Sequence, residues 1–583
     1  MMPNLFRVVA LIFLGFLSGC AGTGLEPVGQ LLVQVDDVAT GPSDTRPVVM
    51  ELDGKLVLLY TNKANRLTFQ HGDRKSEIVP SDGANSFQLH IQDQHLYALW
   101  WSHAGEKNIY ITSSTNNGET FSPISIINDS HGVLPPFSVT RGTAGQLGVT
   151  YHDERLPKYQ AYFNRSTDYG RTWPKPDVRL DPPPPEGRSS DVYEPMSVES
   201  GPIWFSAWND NVYINGNREY RIVSRFTEDA GLTWTEPKVL YTSDHQISSM
   251  QVKSQDGNIV IAANDLNRGV FALASTDQGR SWKNAGVVSG TAGVSNSGVA
   301  VAIAGGRAHL VWMLDRNGEK THIMRAGLDI AQAVWLGDAG RMDEKVHDRT
   351  RSLSPDIYVT KAGVVMAAWV DYSDIRPNIY LSASADQGVT WTKPQAMLKP
   401  GEISAGWPKL IGWKDTAAIA YEIYPTDRIR EGKFNVRELT YDEKVKNFAG
   451  FARVSPLNDN DRKSRLEQRV QQLWDARVAG DYEKAYDIFD FAYRAAYPKK
   501  FYVSSVGVIT YLTYKTEDLS IVGNEANVKM KIKYEVTPTT LPTTGTKLTI
   551  PPVEIETPTM WVWVGNDWYM VYKPSYDPAM LEY

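Results

Sequence analysis

The chain has 583 residues, which is longer than one ordinary compact domain. Its formal net charge is −7 and no basic stripe is visible, which argues against nucleic acid as a main partner. Aromatic residues make up 11% of the chain, a composition that suits a protein rich in β-sheet.

The chain begins with a short apolar segment. About ten apolar residues follow Arg7, which is too few to span a bilayer and is typical of a signal peptide. The segment ends in Leu17-Ser18-Gly19-Cys20, which resembles the lipobox of bacterial lipoproteins, whose Cys is lipidated after cleavage. The sequence therefore predicts a signal peptide over 1–20, a lipid on Cys20 and a polar tether over 21–29. Alternatively, Cys20 is an ordinary small residue of a signal peptide.

The residues around Cys20 also bear on location. Cys20 is the single cysteine of the chain, so an internal disulfide is excluded. Ala21 follows it rather than Asp, which by the same resemblance implies the outer membrane of a Gram-negative cell. We expect a protein of the outer membrane or cell envelope, periplasmic or surface-exposed, with the membrane as a partner through the lipid on Cys20.

Five copies of one eight-residue pattern recur from residue 114 onward. Its consensus is Ser/Thr-x-Asp-x-Gly-x-Thr/Ser-Trp, and the copies recur about every fifty residues, with one gap of double length. They occupy residues 114–121, 166–173, 227–234, 275–282 and 384–391. A fixed period of this size predicts a repeat architecture.

Each copy has the composition of a self-contained turn. The Asp can accept hydrogen bonds from backbone N–H groups, the Gly can adopt a positive φ, and the Trp begins the next strand as an apolar anchor. These residues resemble the Asp box, or bacterial neuraminidase repeat, of sialidase-like β-propellers. The resemblance implies the fold and a structural role, without implying sialidase chemistry. The structural carboxylates are Asp168, Asp229, Asp277 and Asp386.

Residues 30–455 repeat one unit eight times, and three of the units lack a clear Asp box. The gap of double length between the last two copies contains the sixth unit. In that unit residues 327–329, Gly-Leu-Asp, are a degenerate form of the Asp-box turn. Second strands are predicted over 56–60, 96–100, 147–151, 203–208, 259–263, 309–313, 364–370 and 417–421. We predict an all-β propeller of seven or eight blades, with eight matching the number of units. The proline run 182–185 predicts an extended connector between units three and four.

The pattern changes after about residue 455 to helices followed by strands. Helical spacing relates Leu466, Val470, Leu473 and Trp474, and Asp481 can cap a second helix. Strands are predicted over 506–514, 526–536, 549–554, 560–564 and 568–572, with an exposed loop over 537–546. Residues 473–486 resemble the start of nuclear-transport-factor-2-like domains, cone-shaped folds that hold small ligands or make dimers. The sequence therefore predicts a small α+β cone-like domain over 456–583.

The loops after the second strands carry a distinct set of polar residues. In propellers of the kind that the resemblance implies, these loops form the ligand-bearing face, opposite the Asp boxes. Their carboxylates, arginines and histidine could bind a polar ligand or a cation. Alternatively, each Asp caps its own turn and pairs with a nearby Arg. The candidates are His152, Asp153, Arg155, Asp210, Asp265, Arg268, Asp315, Arg316, Asp371 and Arg376.

A sialidase needs a further set of residues. That family uses three arginines on the substrate carboxylate, an acid/base Asp, and a Tyr activated by a Glu. The candidates for the carboxylate are Arg46 and either Arg351 or Arg349. The candidates for the nucleophile are Tyr421, with Glu422 beside it, or Tyr424. The sequence does not supply the full set, since residues 61–63, Thr-Asn-Lys, stand where the acid/base Asp is expected.

No metal or cofactor is predicted, because the histidines lack a metal-binding spacing and the single Cys removes thiolate sites. The sequence favours a lipid-anchored envelope protein whose propeller binds a ligand, such as a glycan, or an envelope protein partner. The alternative is an exo-acting glycoside hydrolase of the sialidase type. A third hypothesis places the ligand site in the C-terminal cone, with Tyr486, Trp561 and Trp563.

Overall fold

The computed structural model describes residues 28–571, with internal gaps. The gaps are 40–45, 80–82, 131, 157, 184–187, 215–216, 317–319, 344–351, 375, 399–403, 425–431, 443, 445, 449–458, 491–492, 495–496, 498, 507–508, 523–524, 541–546 and 565–566. The expected signal peptide, with Cys20, and part of the proline run 182–185 lie outside the described residues.

In the described part of the chain, residues 31–439 form eight antiparallel sheets. The first four are β2–β5 (Val48–Leu52, Lys55–Thr61, Leu67–His71, Arg74–Glu77), β6–β9 (Ala84–Gln92, His95–Ser102, Asn108–Ser114, Ser125–Ile126), β10–β13 (Val133–Arg141, Leu147–Asp153, Gln160–Ser166, Val178–Arg179) and β14–β17 (Arg188–Ser200, Ile203–Ile214, Asn217–Thr227, Lys238–Ser243).

The next three sheets are β18–β21 (Ile247–Gln255, Asn258–Asp265, Gly269–Ser275, Lys283–Val287), β22–β26 (Ser295–Ala304, Arg307–Arg316, Lys320–Asp329, Val334–Trp335, Gly340–Arg341) and β27–β30 (Ser352–Val359, Val365–Asp374, Arg376–Ser384, Gln395–Ala396). The eighth is β31–β33 (Ser404–Trp413, Thr416–Tyr424, Lys433–Leu439), whose fourth strand is β1 (Leu31–Val35). A small hairpin of β34 (Tyr441–Asp442) and β35 (Asn447–Phe448) follows.

The sheets are propeller-like blades, as the repeat predicts. Every predicted second strand overlaps an observed one, and these strands are almost wholly buried; all seven residues of β11 are examples. Their apolar runs lack alternation because both faces pack on neighbouring sheets. The first strand of each sheet contacts the first strand of the next, and β31 contacts β2.

The Asp boxes form the turns between third and fourth strands. Asp168 Oδ1 accepts hydrogen bonds from Ser166 Oγ at 2.7 Å and from the Thr172 N–H at 2.9 Å, and its Oδ2 accepts one from Thr172 Oγ1 at 2.6 Å. Gly170 has φ +79°, as predicted, and the preceding Tyr169 also has a positive φ, +62°. The Trp was expected to begin the next strand. Instead the indole of Trp173 turns back to donate to the Gly170 carbonyl at 3.1 Å, and the fourth strand starts at Val178.

The packed region begins earlier than the expected boundary at residue 30. Val28, assigned to the tether, is fully buried, and its N–H donates to the Met397 carbonyl at 3.0 Å. The Gly29 carbonyl accepts a hydrogen bond from Arg437 at 2.8 Å. Both residues therefore belong to the folded part.

The C-terminal region consists of helices followed by one sheet. The helices are α1 (Asp459–Val478), α2 (Tyr482–Tyr486) and α3 (Lys499–Ser505), and Asp481 caps α2 by accepting from the Lys484 N–H. The sheet is β36–β39 (Ile509–Val522, Glu525–Thr540, Lys547–Val564, Asp567–Val571). Two predicted strands, 549–554 and 560–564, are one continuous strand, β38. Part of the expected loop 537–546 belongs to β37.

This region has its own hydrophobic core. Leu466, Val470, Leu473 and Trp474 of α1 pack with residues of the sheet that include Trp561 and Trp568. Tyr486 and Trp561 lie in this core, and Trp563 packs against it. None of the helices that the structure describes combines the length and the apolarity that crossing a membrane requires.

Candidate functional site

The first strands of seven sheets share a β-bulge near their start. The register shifts there by one or more residues in β6, β10, β14, β18, β22, β27 and β31. A residue with positive φ lies inside most of these bulges, for example Glu194 at +50° and Trp407 at +58°. Bulges re-aim side chains, and these lie beside the ends of the second strands, the face on which the sequence places a ligand.

The first three strands of the fourth sheet are longer than those of the other sheets. They have 13, 12 and 11 residues, whereas β10, β11 and β12 of the third sheet have 9, 7 and 7. The extra length lies beyond the bulge at Glu194, so residues 188–193, 209–214 and 217–221 form a three-stranded wall on the candidate face.

A pocket of about 420 Å³ lies at the foot of this wall. The third, fourth and fifth sheets contribute to it, from strands β10, β11, β14, β15, β16 and β18 and the residue before β18. Its volume is within the range of about 300–1,000 Å³ typical of small-molecule sites. It is lined by Pro135, Pro136, His152, Tyr193, Glu194, Asn209, Asn211, Arg218, Gln246, Ile247 and Ser248.

Glu194 supplies a carboxyl group to this pocket. It accepts a hydrogen bond from Asn209 Nδ2 at 3.1 Å, and the Met250 backbone N–H bonds to it as well. Burial raises the pKa of Glu194 above its ordinary value, and the two hydrogen bonds oppose that rise. A carboxyl group held this way can accept from, or share a proton with, a ligand hydroxyl.

The rings of His152 and Tyr193 line the pocket, and Tyr159 packs against both of them. His152 is 6% exposed, and burial lowers its pKa to about 4, so the ring is uncharged at neutral pH. Its Nδ1 has no hydrogen-bond partner within the described residues. Tyr159 lies edge-on to both His152, at 5.9 Å, and Tyr193, at 5.5 Å. Together these side chains offer ring faces and one nitrogen for a ligand.

An arginine stands at the mouth of the pocket. The exposed guanidinium of Arg218 lies 4.5 Å from the ring centroid of Tyr213, and its Nη1 donates to Tyr220 Oη at 3.3 Å. It also borders a second cavity of about 500 Å³ that Arg268 lines. Arg218 can therefore meet a ligand that enters over the wall.

Among the residues predicted for this face, His152 lines the pocket, but Asp153 and Arg155 do not. The Arg155 guanidinium lies 2.5 Å from Asp153, 2.8 Å from Asp129 and 3.1 Å from Asp177. Asp153 is fully buried, and Arg155 also stacks 3.6 Å from the Tyr162 ring centroid. This ion cluster holds the third sheet together.

Three of the remaining predicted carboxylates have hydrogen-bond partners on other strands. Asp210 accepts from Ser190 Oγ, Asp265 from Tyr241 Oη at 2.6 Å, and Asp371 from Ser352 Oγ at 2.9 Å. These pairs give the three carboxylates a structural role, but the donors lie on other strands, in β14, β17 and β27, and not in the turn that follows each Asp.

The other predicted members of the face are not brought together at the pocket. Arg268 donates to Asp244 at 2.5 Å and lies 4.0 Å from Asp265. Asp315 is half-buried opposite Ser295 in the register. The backbones of Arg316 and Arg376 lie in β23 and β29, but their side chains are outside the described residues.

The sialidase candidates do not assemble in the described part of the chain. Tyr421 is 1% exposed, packs in the core and accepts from Arg437 Nε at 2.9 Å. Because successive strand residues point to opposite faces, Glu422 cannot lie beside its phenol. The Arg46 guanidinium lies 3.4 Å from the ring centroid of Trp407, and Arg351 falls outside the described residues.

Sequence reasoning missed Tyr193, Glu194 and Arg218. A signal for Glu194 was present, since an X-Pro pair precedes one first strand and lies at the bulge of three others: Arg46-Pro47, Glu194-Pro195, Ser354-Pro355 and Trp407-Pro408. A residue that precedes Pro avoids the right-handed helical region of the backbone. These pairs therefore indicate a backbone irregularity that recurs from sheet to sheet. No comparable signal exists for Arg218.

No metal site is found within the described residues, where no three His, Cys, Asp or Glu side chains are arranged to hold an ion.

No protein-family model matches the chain, and no curated protein matches it in sequence. Solved structures with a similar fold include polysaccharide lyase Uly1 (12% identity, 71% of this chain and 99% of that one, TM-score 0.41). Others are the NanB sialidase of Streptococcus pneumoniae (9%, 71% and 92%, 0.31) and a protein of unknown function from Dyadobacter fermentans (13%, 54% and 96%, 0.31). The likeness concerns the all-β fold and says nothing of ligand or reaction.

Proposed function

We propose that the chain is a lipid-anchored envelope protein whose propeller binds a saccharide in the pocket at the foot of the fourth sheet. The observation that carries the proposal is a half-buried Glu194 carboxyl group at a pocket of about 420 Å³ that aromatic rings and side-chain amides also line.

The lining chemistry supports a saccharide. Sugar hydroxyls donate and accept at once, and Asn209, Asn211 and Gln246 can do both. The Tyr193 ring supplies an apolar face for C–H groups of a sugar. A strongly apolar ligand would leave these polar groups desolvated and unsatisfied, which costs about 1–3 kcal/mol each.

The proposal extends to the architecture. The eight sheets act as eight blades of one closed ring, supported by the contact of β31 with β2 and by the pairing of β1 with β33. The C-terminal region is proposed as a nuclear-transport-factor-2-like domain, supported by its order of helices and curved sheet. An experimental structure with an open array of sheets, or with helices off the sheet, would contradict these two points.

Binding measurements test the pocket. The purified chain is screened on an array of bacterial and plant glycans, and the best ligand is titrated by calorimetry against Glu194→Gln and Arg218→Met. Glu194→Gln is expected to weaken binding about tenfold or more, since a hydrogen bond to a charged group is worth about 1.5–3 kcal/mol. The control is Arg280→Met, at an exposed Asp-box turn, with unchanged affinity expected. No glycan ligand, or a ligand indifferent to both pocket variants, would refute the proposal.

The anchor is tested separately. Replacement Cys20→Ser is expected to move the protein from the membrane fraction to the soluble fraction of cells that express it. Retention in the membrane fraction would contradict the lipid anchor without touching the pocket.

A further inference from the structure

A third cavity, the inner cavity, lies along the first strands of the second to fifth sheets. Its volume is about 440 Å³, and residues of β6, β10, β14 and β18 line it. It adjoins the saccharide pocket at Pro136 and continues toward the turns that join first and second strands. Those turns lie on the Asp-box side, since the N–H of the Asp-box residue Gln278 donates to the Gly257 carbonyl of one of them.

One positive charge at this cavity is not compensated by a neighbour. Three of the described lining residues carry charge, namely Arg141, Glu199 and Lys253. Arg141 Nε donates to Glu199 at 2.9 Å, so these two charges balance each other. The Lys253 side chain makes no salt bridge and no hydrogen bond within the described residues. The lining therefore carries a net charge of one cation, located on the fifth sheet.

The charges that act on Lys253 lie on the far side of the first strands. They belong to Lys409 in β31 and Asp356 in β27, in the eighth and seventh sheets, which do not neighbour the fifth in sequence. Lys409 Nζ donates to Asp356 at 2.8 Å, and the Leu410 N–H donates to the same carboxylate at 2.7 Å. Asp356 is therefore already engaged by two donors.

The surroundings of Lys253 favour a negative partner. The side chain is reached by water, but the protein around it desolvates the ammonium group, and this effect, followed by repulsion from Lys409, lowers the pKa of Lys253. An anion beside the ammonium would offset both effects. In surroundings of lowered dielectric, a cation attracts such an anion more strongly than it does in water.

Two polar side chains of the same strand stand next to Lys253. Gln251 and Ser254 also line the cavity, and neither side chain has a hydrogen-bond partner within the described residues. Gln251 lies two positions before Lys253, on the same side of β18. Amide N–H and hydroxyl groups are donors that an oxyanion can accept from. The strand thus presents one cation and two neutral donors to the cavity.

We propose that the inner cavity binds an oxyanion, such as phosphate, sulfate or a carboxylate group, through the Lys253 ammonium with hydrogen bonds from Gln251 and Ser254. The bound anion neutralises the uncompensated charge of the lining. The proposal does not depend on the saccharide pocket, because Glu194 and Arg218 are not among the residues that line the inner cavity.

Equilibrium dialysis of the full chain against radiolabelled phosphate tests the proposal. One saturable site per chain is expected. Lys253→Met should weaken binding by about tenfold or more, because the charge-assisted contact is lost. The matched control is Lys238→Met, at an exposed position of the outer strand β17, with unchanged affinity expected. The absence of a saturable site, or equal affinity of Lys253→Met and the unaltered chain, would overturn the proposal.

Two measurements on the unaltered chain keep the result decisive if Lys253→Met fails to fold. Sulfate should displace the labelled phosphate, whereas the same concentration of neutral glycerol should not. In crystals soaked with selenate, an anomalous difference peak is expected within about 3.5 Å of Lys253 Nζ. Equal displacement by sulfate and glycerol, or selenate peaks that all lie outside the inner cavity, would overturn the proposal.

Discussion

Two aspartates of the third repeat unit have pKa values that are shifted in opposite directions. Asp168, in the Asp box, is partly exposed; desolvation acts to raise its pKa, but hydrogen bonds from Thr172, Ser166 and the Arg171 N–H outweigh it and lower the pKa. Asp177, in the ion cluster with Arg155, is buried, and desolvation followed by its side-chain contact with Asp129 raises its pKa to about 6. Solvent access decides the difference.

The raised pKa of Asp177 predicts a pH dependence of stability. The ordinary pKa of this group is 3.8, and its pKa in the folded state is about 6. At pH values between these two, Asp177 keeps its proton in the folded state and has lost it in the unfolded state. Its contribution to the free energy of unfolding is therefore complete below the ordinary pKa and is lost as pH rises through about 6. Asn cannot ionise, so the Asp177→Asn variant does not lose this contribution. Its free energy of unfolding, relative to that of the unaltered chain, should therefore rise by on the order of 2 kcal/mol between about pH 4.5 and 7.

Urea unfolding at the two pH values measures this difference. Asp168→Asn is the matched control, since the lowered pKa of Asp168 means that its contribution is lost only when pH falls below the ordinary value. A gap for Asp177→Asn that stays constant, or that moves in favour of the unaltered chain as pH rises, would contradict the assignment.

At the scale of the element, the Asp box is both a turn and a contact between sheets. A Cβ on Gly231 would lie 2.4 Å from Cε1 of Phe163, in the preceding sheet, and one on Gly118 would lie 2.0 Å from Cε1 of Phe69. The box aromatic adds to the contact, since the Trp234 ring meets Phe163 edge-on at 4.9 Å. The glycine therefore permits both the positive φ of the turn and the close approach of the preceding sheet.

This double role predicts a large cost for one glycine substitution. Gly231 has φ +83° and a buried ring against it, whereas Gly257 has φ +81° and its nearest atom, Gln278 Cγ, at 4.0 Å from an added Cβ. Gly231→Ala should lower the free energy of unfolding by about 2–4 kcal/mol, from backbone strain plus overpacking. Gly257→Ala should cost about 1 kcal/mol, from strain alone. Equal losses in denaturant unfolding would show that the contact between sheets adds nothing.

At the scale of the molecule, the first strand of the chain completes the last sheet. β1 pairs with β33, with Val33 opposite Val436 and Val35 opposite Phe434. Val35 is 1% exposed, and it belongs to a core cluster shared by the first and eighth sheets. The two ends of the repeat region are thus joined by a strand that is distant in sequence, which leaves no long open edge there.

Removal of that strand should leave β33 as an exposed edge. A chain that begins at residue 37 should be less stable by at least about 3 kcal/mol than one that begins at 28, since it loses buried Val28 and Val35 and exposes an edge of β33. Thermal unfolding and light scattering measure the loss and the self-association. A peptide of residues 28–36 should restore stability to the shorter chain, and a scrambled peptide should not. Equal stability of the two chains would contradict closure by β1.

The sequence by itself determined the repeat, because each Asp box closes within eight residues through contacts between its own side chains and backbone. Asp481 was readable as a cap for the same local reason. Tertiary structure alone decided the pocket, whose lining comes from six strands spread over three sheets. It also decided that Glu194 lines the pocket, next to a bulge that re-aims side chains. Tyr421 packs in the core, and Glu422 points away from it because residues that are adjacent in a strand face opposite ways.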